Sequence, residues 1–122
     1  QVSECAEELG SPAYTELMMR YGHDWKKFLK DIRENSDRTE LDQWELQMQC
    51  RVLQMIGRER LLFVSDGLPE EIQGRICVNP VLGDGTARKR AQRVLDEYVE
   101  KKPSARIAVI PDGPYTMLKR VS

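Results

Sequence analysis

One histidine, His23, and three widely spaced cysteines, Cys5, Cys50 and Cys77, are the only imidazole and thiol donors in this 122-residue chain. They form no C-x-x-C pair and no H-E-x-x-H, so neither a zinc site nor a disulfide framework is indicated. The reading is of a reduced, cytoplasmic protein whose cysteines pack as small hydrophobes. No stretch approaches the roughly 18 consecutive apolar residues that a membrane span requires, and no charged-apolar-small leader opens the chain. A basic excess is also missing: 19 Lys and Arg face 20 Asp and Glu, a formal charge of -1. That argues against a nucleic-acid surface, which needs a basic stripe. The chain begins with Gln1, which reads as a processed product or as a piece of something longer.

What remains is an ordinary composition for one domain, divided into two textures. Residues 11–57 read as helices. Ser11-Pro12 has the form of an N-cap followed by proline at the first helical position, with Tyr14, Leu17 and Met18 on one face. Asp24 is placed to cap a second helix carrying Trp25, Phe28, Leu29 and Ile32 on one side and lysines and arginine on the other. Thr39, three residues before Asp42, resembles a capping box. The helix it opens places Leu41, Trp44, Met48, Val52, Met55 and Ile56 on one stripe and Leu46, Cys50 and Leu53 on the next. An apolar arc that wide predicts a central helix buried on more than one side.

Residues 58–113 read as strand, loop, helix, strand. The apolar runs 61–64 and 107–110 lack alternation, as strands buried on both faces of a parallel sheet do. Between them, Thr86 is placed to cap a helix with Ala87, Ala91, Val94, Leu95, Tyr98 and Val99 inward, which makes a strand-helix-strand crossover. A further short strand is expected around 1–4 or near 75–78. The fold class is therefore α/β: a small parallel sheet with flanking helices in Rossmann-like layers, and a helical N-terminal half.

Ligands of open parallel sheets bind beyond the carboxyl ends of the strands, where this sequence carries Ser65-Asp66-Gly67 and Asp112-Gly113-Pro114-Tyr115. Turn geometry accounts for both Asp-Gly pairs as well. Gly83-Asp84-Gly85-Thr86 matches neither the dinucleotide nor the P-loop fingerprint and reads as a turn and helix cap. His23, between Gly22 and Asp24, reads as a surface turn residue. Glu70-Glu71 after Pro69 suits the first turn of a helix. No catalytic constellation and no metal site can be assembled from these residues.

Three segments, in order, resemble one known family, the nickel-dependent lactate racemases. Glu4 to Leu17, "ECAEELGSPAYTEL", is similar to the Cys-(acidic)-Gly-x-Gly-Ser loop and helix start of that family's C-terminal domain. Asp42-Gln43-Trp44-Glu45-Leu46-Gln47 opens a segment similar to its D-Q-W helix. Arg106 to Thr116, "RIAVIPDGPYT", looks like its closing strand and I-P-D-G loop. The resemblance covers nearly the whole chain as a single domain, 1–122.

The resemblance implies a two-domain enzyme that racemises or epimerises 2-hydroxy acids. Its nickel pincer nucleotide, acid-base histidines and metal ligands belong to an N-terminal catalytic domain, expected as this chain's partner. The chain itself is expected to bind no cofactor alone, to contribute no catalytic residue, and to close over the pocket as a lid. Trp44 aligns with a tryptophan lining the family's active site, and Gly10 and Ser11 are further pocket candidates. The expected ligand is a small 2-hydroxy acid, and self-association of the isolated domain is expected at an exposed docking face. Two departures stand out. Tyr-Gln-x-x-Lys, the family's substrate-binding motif, does not occur, and Glu8 stands where the family has glycine. The alternative is a free-standing module that binds a small acid or a separate protein.

Overall fold

The computed structural model describes residues 1–3, 5–6 and 8–111. Local chemistry sets its first helices. The Ser11 hydroxyl accepts from the Tyr14 N–H at 3.1 Å and Pro12 takes the first turn of α1, Pro12–Tyr21. Gly22 ends it, its N–H donating to the Met18 carbonyl at 2.7 Å. Gly22 also has no room for a side chain: a Cβ there would stand 2.4 Å from the Arg75 carbonyl oxygen and 2.9 Å from Ile76 Cα. The end of α1 thus presses directly on the backbone that enters the sheet. Asp24 caps α2, Trp25–Glu34, by accepting from the Lys27 N–H at 3.0 Å. The Tyr21 and Phe28 rings join the two helices with centroids 5.2 Å apart.

The third helix, α3, spans Gln43–Ile56 and packs against both α1 and α2. Two expectations about it need correction. Its N-cap is Asp42 and not Thr39, with φ +58° and no side-chain bond to its own helix. It is also buried on one side only: Leu46, Cys50 and Leu53 are 0–1% exposed, whereas Leu41, Trp44, Met48, Val52 and Met55 face solvent. Helices α1 and α2 fill one flank of α3, and no described element covers the other.

After a 3₁₀ turn at Arg58–Arg60 the chain forms β1, Leu62–Phe63, then α4, Glu70–Arg75, then β2, Asn79–Pro80. The strands pair in parallel, Leu62 with Asn79 and Phe63 with Pro80. On the other side of β1 the N-terminal segment makes a parallel bridge, Val2 to Val64. The fold is mixed α/β with a small parallel sheet and a helical N-terminal half, as the patterning predicts. Of the two places expected for a further short strand, 1–4 makes only an isolated bridge at Val2, and β2 falls just past 75–78. The core lies between α1–α3 and this sheet, built on Leu17, Met18, Phe28, Phe63, Ile76 and Val78. Cys50 and Cys77 are free thiols inside it, packed as small hydrophobes.

The crossover is built differently from the prediction. Helix α4, not the later helix, links the paired strands. The last helix, α5, spans Ala87–Lys101, but 107–110 forms no strand and Ile107, Val109 and Ile110 are exposed. An unalternating apolar run becomes a buried strand only when a sheet edge receives it, and here none does. Consequently Leu95, Tyr98 and Val99, expected to point inward, stay 39–49% exposed. No helix among the described residues is long and apolar enough to cross a membrane.

Candidate functional site

Two places on this framework correspond to the sequence-derived candidates. The first is the carboxyl end of β1, where a cleft of about 830 Å3 opens between the N-terminal segment and α5, lined by Val2, Ser3, Asp66, Thr86, Ala91 and Leu95 among others. Asp66 is committed here to the fold. Its carboxylate accepts the Ala87 N–H at 2.7 and 2.8 Å and pairs with Arg90 Nη2 at 3.0 Å. Arg90 is buried, and its guanidinium also donates to the carbonyls of Ser65, Gly83 and Gly85. One arginine therefore gathers the end of β1, the glycine turn and the start of α5.

Turn geometry is thus the role of Ser65-Asp66-Gly67, and Gly83 and Gly85 adopt φ of +107° and +92° in the turn that Thr86 closes by capping α5. A negative carboxylate already occupies the positive end of that helix, which disfavours a second anion there. Asp112 and the rest of 112–122 lie outside the described residues. Sequence reasoning missed Arg90. The available signal was an arginine close to the small-residue start of an inward stripe, with an Asp at the sheet end for it to reach.

The second place is the N-terminal end of α3. Gly10, at φ +92°, leads the chain into Ser11, and the Ser11 hydroxyl donates to the Asp42 carboxylate. This explains why Asp42 does not cap its own helix: its side chain is turned toward the loop before α1. The left-handed backbone at Asp42 is a conformation that Asp tolerates better than most residues. The bond brings Gly10 and Ser11 to the point where α3 begins, two residues before Trp44. Trp44 itself is 64% exposed. It heads a stripe at i, i+4, i+8 with Met48 and Val52, and Leu41 precedes it.

Behind this stripe lies a polar strut that sequence patterning did not reveal. The Tyr14 hydroxyl donates to Gln49 Oε1 at 2.9 Å, and Gln49 Nε2 donates to the Cys77 carbonyl at 3.2 Å. Burial pushes the Tyr14 phenol well above its usual range, with Cys77, Glu45 and Cys50 adding in the same direction. The strut fixes α1, α3 and the segment entering β2 to one another.

The sequence model described as the lactate racemase C-terminal domain matches residues 1–117. The chain belongs to that family. Neither a curated protein nor a solved structure matches it. Within the lactate racemase C-terminal domain, the departure at Glu8 has a structural meaning. Glu8 sits at φ +55°, a region where the glycine expected from the resemblance would be at ease and an L side chain is strained.

The described residues contain no group of three or more His, Cys, Asp or Glu side chains placed to hold a metal ion, and His23 lies exposed in the turn between α1 and α2.

Proposed function

We propose that this domain is the lid of a lactate-racemase-like 2-hydroxy-acid racemase or epimerase, with the Trp44 end of α3 facing the substrate pocket. On this reading the chain is one half of an enzyme. An N-terminal catalytic domain carries the nickel pincer nucleotide and the acid-base groups, and this chain alone is inactive. The compartment is the cytoplasm, in keeping with its unpaired cysteines.

The observation that carries the proposal is the exposure of Leu41, Trp44, Met48 and Val52 along one helix of a family member. An apolar stripe of this kind on a soluble domain marks a surface that is covered in the working protein. Tryptophan at its head supplies a rigid wall with one N–H donor, suited to excluding water while orienting a polar substrate. Gly10 and Ser11, held beside the start of α3, form the neighbouring pocket edge.

The test is racemisation of 2-hydroxy acids by the enzyme assembled from this domain and its catalytic partner. Trp44→Ala is expected to lower kcat/KM by about 10²-fold, and Trp44→Phe to recover part of the loss. Unchanged activity in Trp44→Ala would remove Trp44 from the pocket. Full activity of the present chain alone would remove the lid reading altogether.

A further inference from the structure

Two further surfaces lack a partner, and their charges are opposite. The first is a groove of about 570 Å3 between α2 and α3. Leu29, Ile32 and Met55 give it an apolar lining, while Arg33 and Arg51 supply its cationic groups. Neither arginine forms an ion pair among the described residues, although Arg20, Lys27 and Lys30 all do. No carboxylate lines the groove. Met55 stands eleven residues beyond Trp44, roughly 16 Å along the helix, so the groove adjoins the Trp44 stripe at its far end, with Gln47 reaching back toward Trp44.

The second surface is the C-terminal half of α5. Leu95, Tyr98 and Val99, at i, i+3 and i+4, share one face and are 43%, 49% and 39% exposed. Asp96 and Glu100 run along the edge of that face. Neither carboxylate forms an ion pair among the described residues, and Asp96 accepts only from Gln92 Nε2, at 2.8 Å. Lys102 Nζ lies 5.2 Å from the Tyr98 ring centroid at the end of this face, and the rest of the half-helix has the composition that an apolar groove with two arginines recognises: aliphatic and aromatic anchors at helical spacing, with carboxylates beside them.

We propose that the two surfaces are partners across two copies of this chain. The C-terminal half of α5 from one copy lies in the α2–α3 groove of the other. Leu95, Tyr98 and Val99 contact Leu29, Ile32 and Met55, and Asp96 and Glu100 face Arg33 and Arg51. Because groove and helix belong to one chain, the contact occurs twice, reciprocally, about a two-fold axis. The occupant is a second copy because the same chain exposes both members of a complementary pair. The opposed charges steer the approach and fix the register, and the apolar contact supplies most of the attraction.

The experiment is sedimentation equilibrium of this chain with two charge-reversed variants, all at exposed positions so that folding, followed by circular dichroism, is retained. The wild type is expected to be a dimer that weakens as salt is raised. Arg33→Glu with Arg51→Glu is expected to weaken association by at least about tenfold, as is Asp96→Lys with Glu100→Lys. An equimolar mixture of the two variants is expected to restore the dimer, because one contact then keeps its native signs and the other is complementary with the signs exchanged. A monomeric wild type up to the solubility limit would overturn the proposal, as would a mixture that associates no better than its components. Association that survives the arginine reversals and is lost only in the α5 variant would also overturn it, since that pattern belongs to α5 pairing with itself.

Discussion

The guanidinium of Arg90 is buried while the carboxylate it pairs with, that of Asp66, is half exposed, their Nη2 and Oδ1 atoms 3.0 Å apart. The asymmetry ranks the forces involved. An ion pair with one solvated partner contributes modestly. The larger contribution comes from the carbonyls of Ser65, Gly83 and Gly85, to all of which this one side chain donates, sharing Ser65 with Gln73 Nε2.

Replacing Arg90 should therefore detach the start of α5 from the sheet. Arg90→Met keeps most of the aliphatic stem but removes the donor to the Gly83 and Gly85 carbonyls and leaves Ser65 only its bond from Gln73 Nε2 among those described, and should cost about 2–3 kcal/mol in urea unfolding. Arg90→Lys should recover less than half of this, since one ammonium lacks the planar fork that reaches several acceptors at once. Amide hydrogen exchange supplies the local readout: protection of the first two turns of α5 should fall more than that of α1–α3. Uniform loss across the chain would mean that Arg90 stabilises the domain as a whole and does not anchor α5.

The loop before α1 offers a paired test of backbone strain. Glu8 holds φ +55° with a side chain, and Gly10 holds φ +92° with nothing within 4 Å of the place a Cβ would occupy. Sterics toward neighbours are thus absent at Gly10, and only backbone conformation opposes a side chain. Gly10→Ala should destabilise by about 1 kcal/mol. Glu8→Gly should do the opposite, by roughly 0.5 kcal/mol, because relief of left-handed strain exceeds the added entropy of the unfolded chain. If Glu8→Gly lowers the melting temperature, the left-handed assignment at residue 8 is wrong.

The sequence was legible where a local signal and a tertiary contact agreed. Ser11-Pro12 and Asp24 announce α1 and α2 because capping is decided within four residues, and Thr86 announces α5 in the same way. The α/β class followed from the unalternating run at 61–64, which has a real partner in β2. It failed at 107–110, an equally strand-like run, since strand formation depends on a free sheet edge that composition does not encode. The two stripes of α3 were visible together, but which one is buried depends on where α1 and α2 pack. Gly10 and Ser11 could be nominated only by resemblance; their link to Asp42 spans 31 residues and leaves no local trace.

Tyr14 predicts the shape of the alkaline stability limb. Its folded-state phenol ionises far less readily than in the unfolded chain, because burial disfavours the phenolate. A raised folded pKa contributes stability that is complete below the unfolded value, about 10, and is lost as pH rises beyond it. Tyr21, raised by burial and by its bond to Asp31, acts in the same sense. Urea midpoints measured up through pH 11 should therefore fall, and Tyr14→Phe should make that fall shallower. At neutral pH the same variant should cost about 1 kcal/mol through the lost bond to Gln49. A fall of equal steepness in Tyr14→Phe would assign the alkaline limb to other groups.

Trp44 separates the demands of folding from those of function. A tryptophan 64% exposed on a helix contributes little to the isolated domain, so Trp44→Ala should shift its stability by no more than about 0.5 kcal/mol. Met48→Ala, 59% exposed on the same stripe, should be as mild. Leu46→Ala, one helical face away and fully buried, should cost about 3 kcal/mol. Fluorescence then tests the lid reading directly. Trp25 is half-buried on α2, so Trp25→Phe leaves Trp44 as the only indole. Its emission should be that of a solvated ring in the isolated domain and should shift to shorter wavelength when the catalytic partner is added. Absence of a shift despite demonstrable association of the two parts would place the docking face elsewhere and leave Trp44 exposed to solvent in the assembled enzyme.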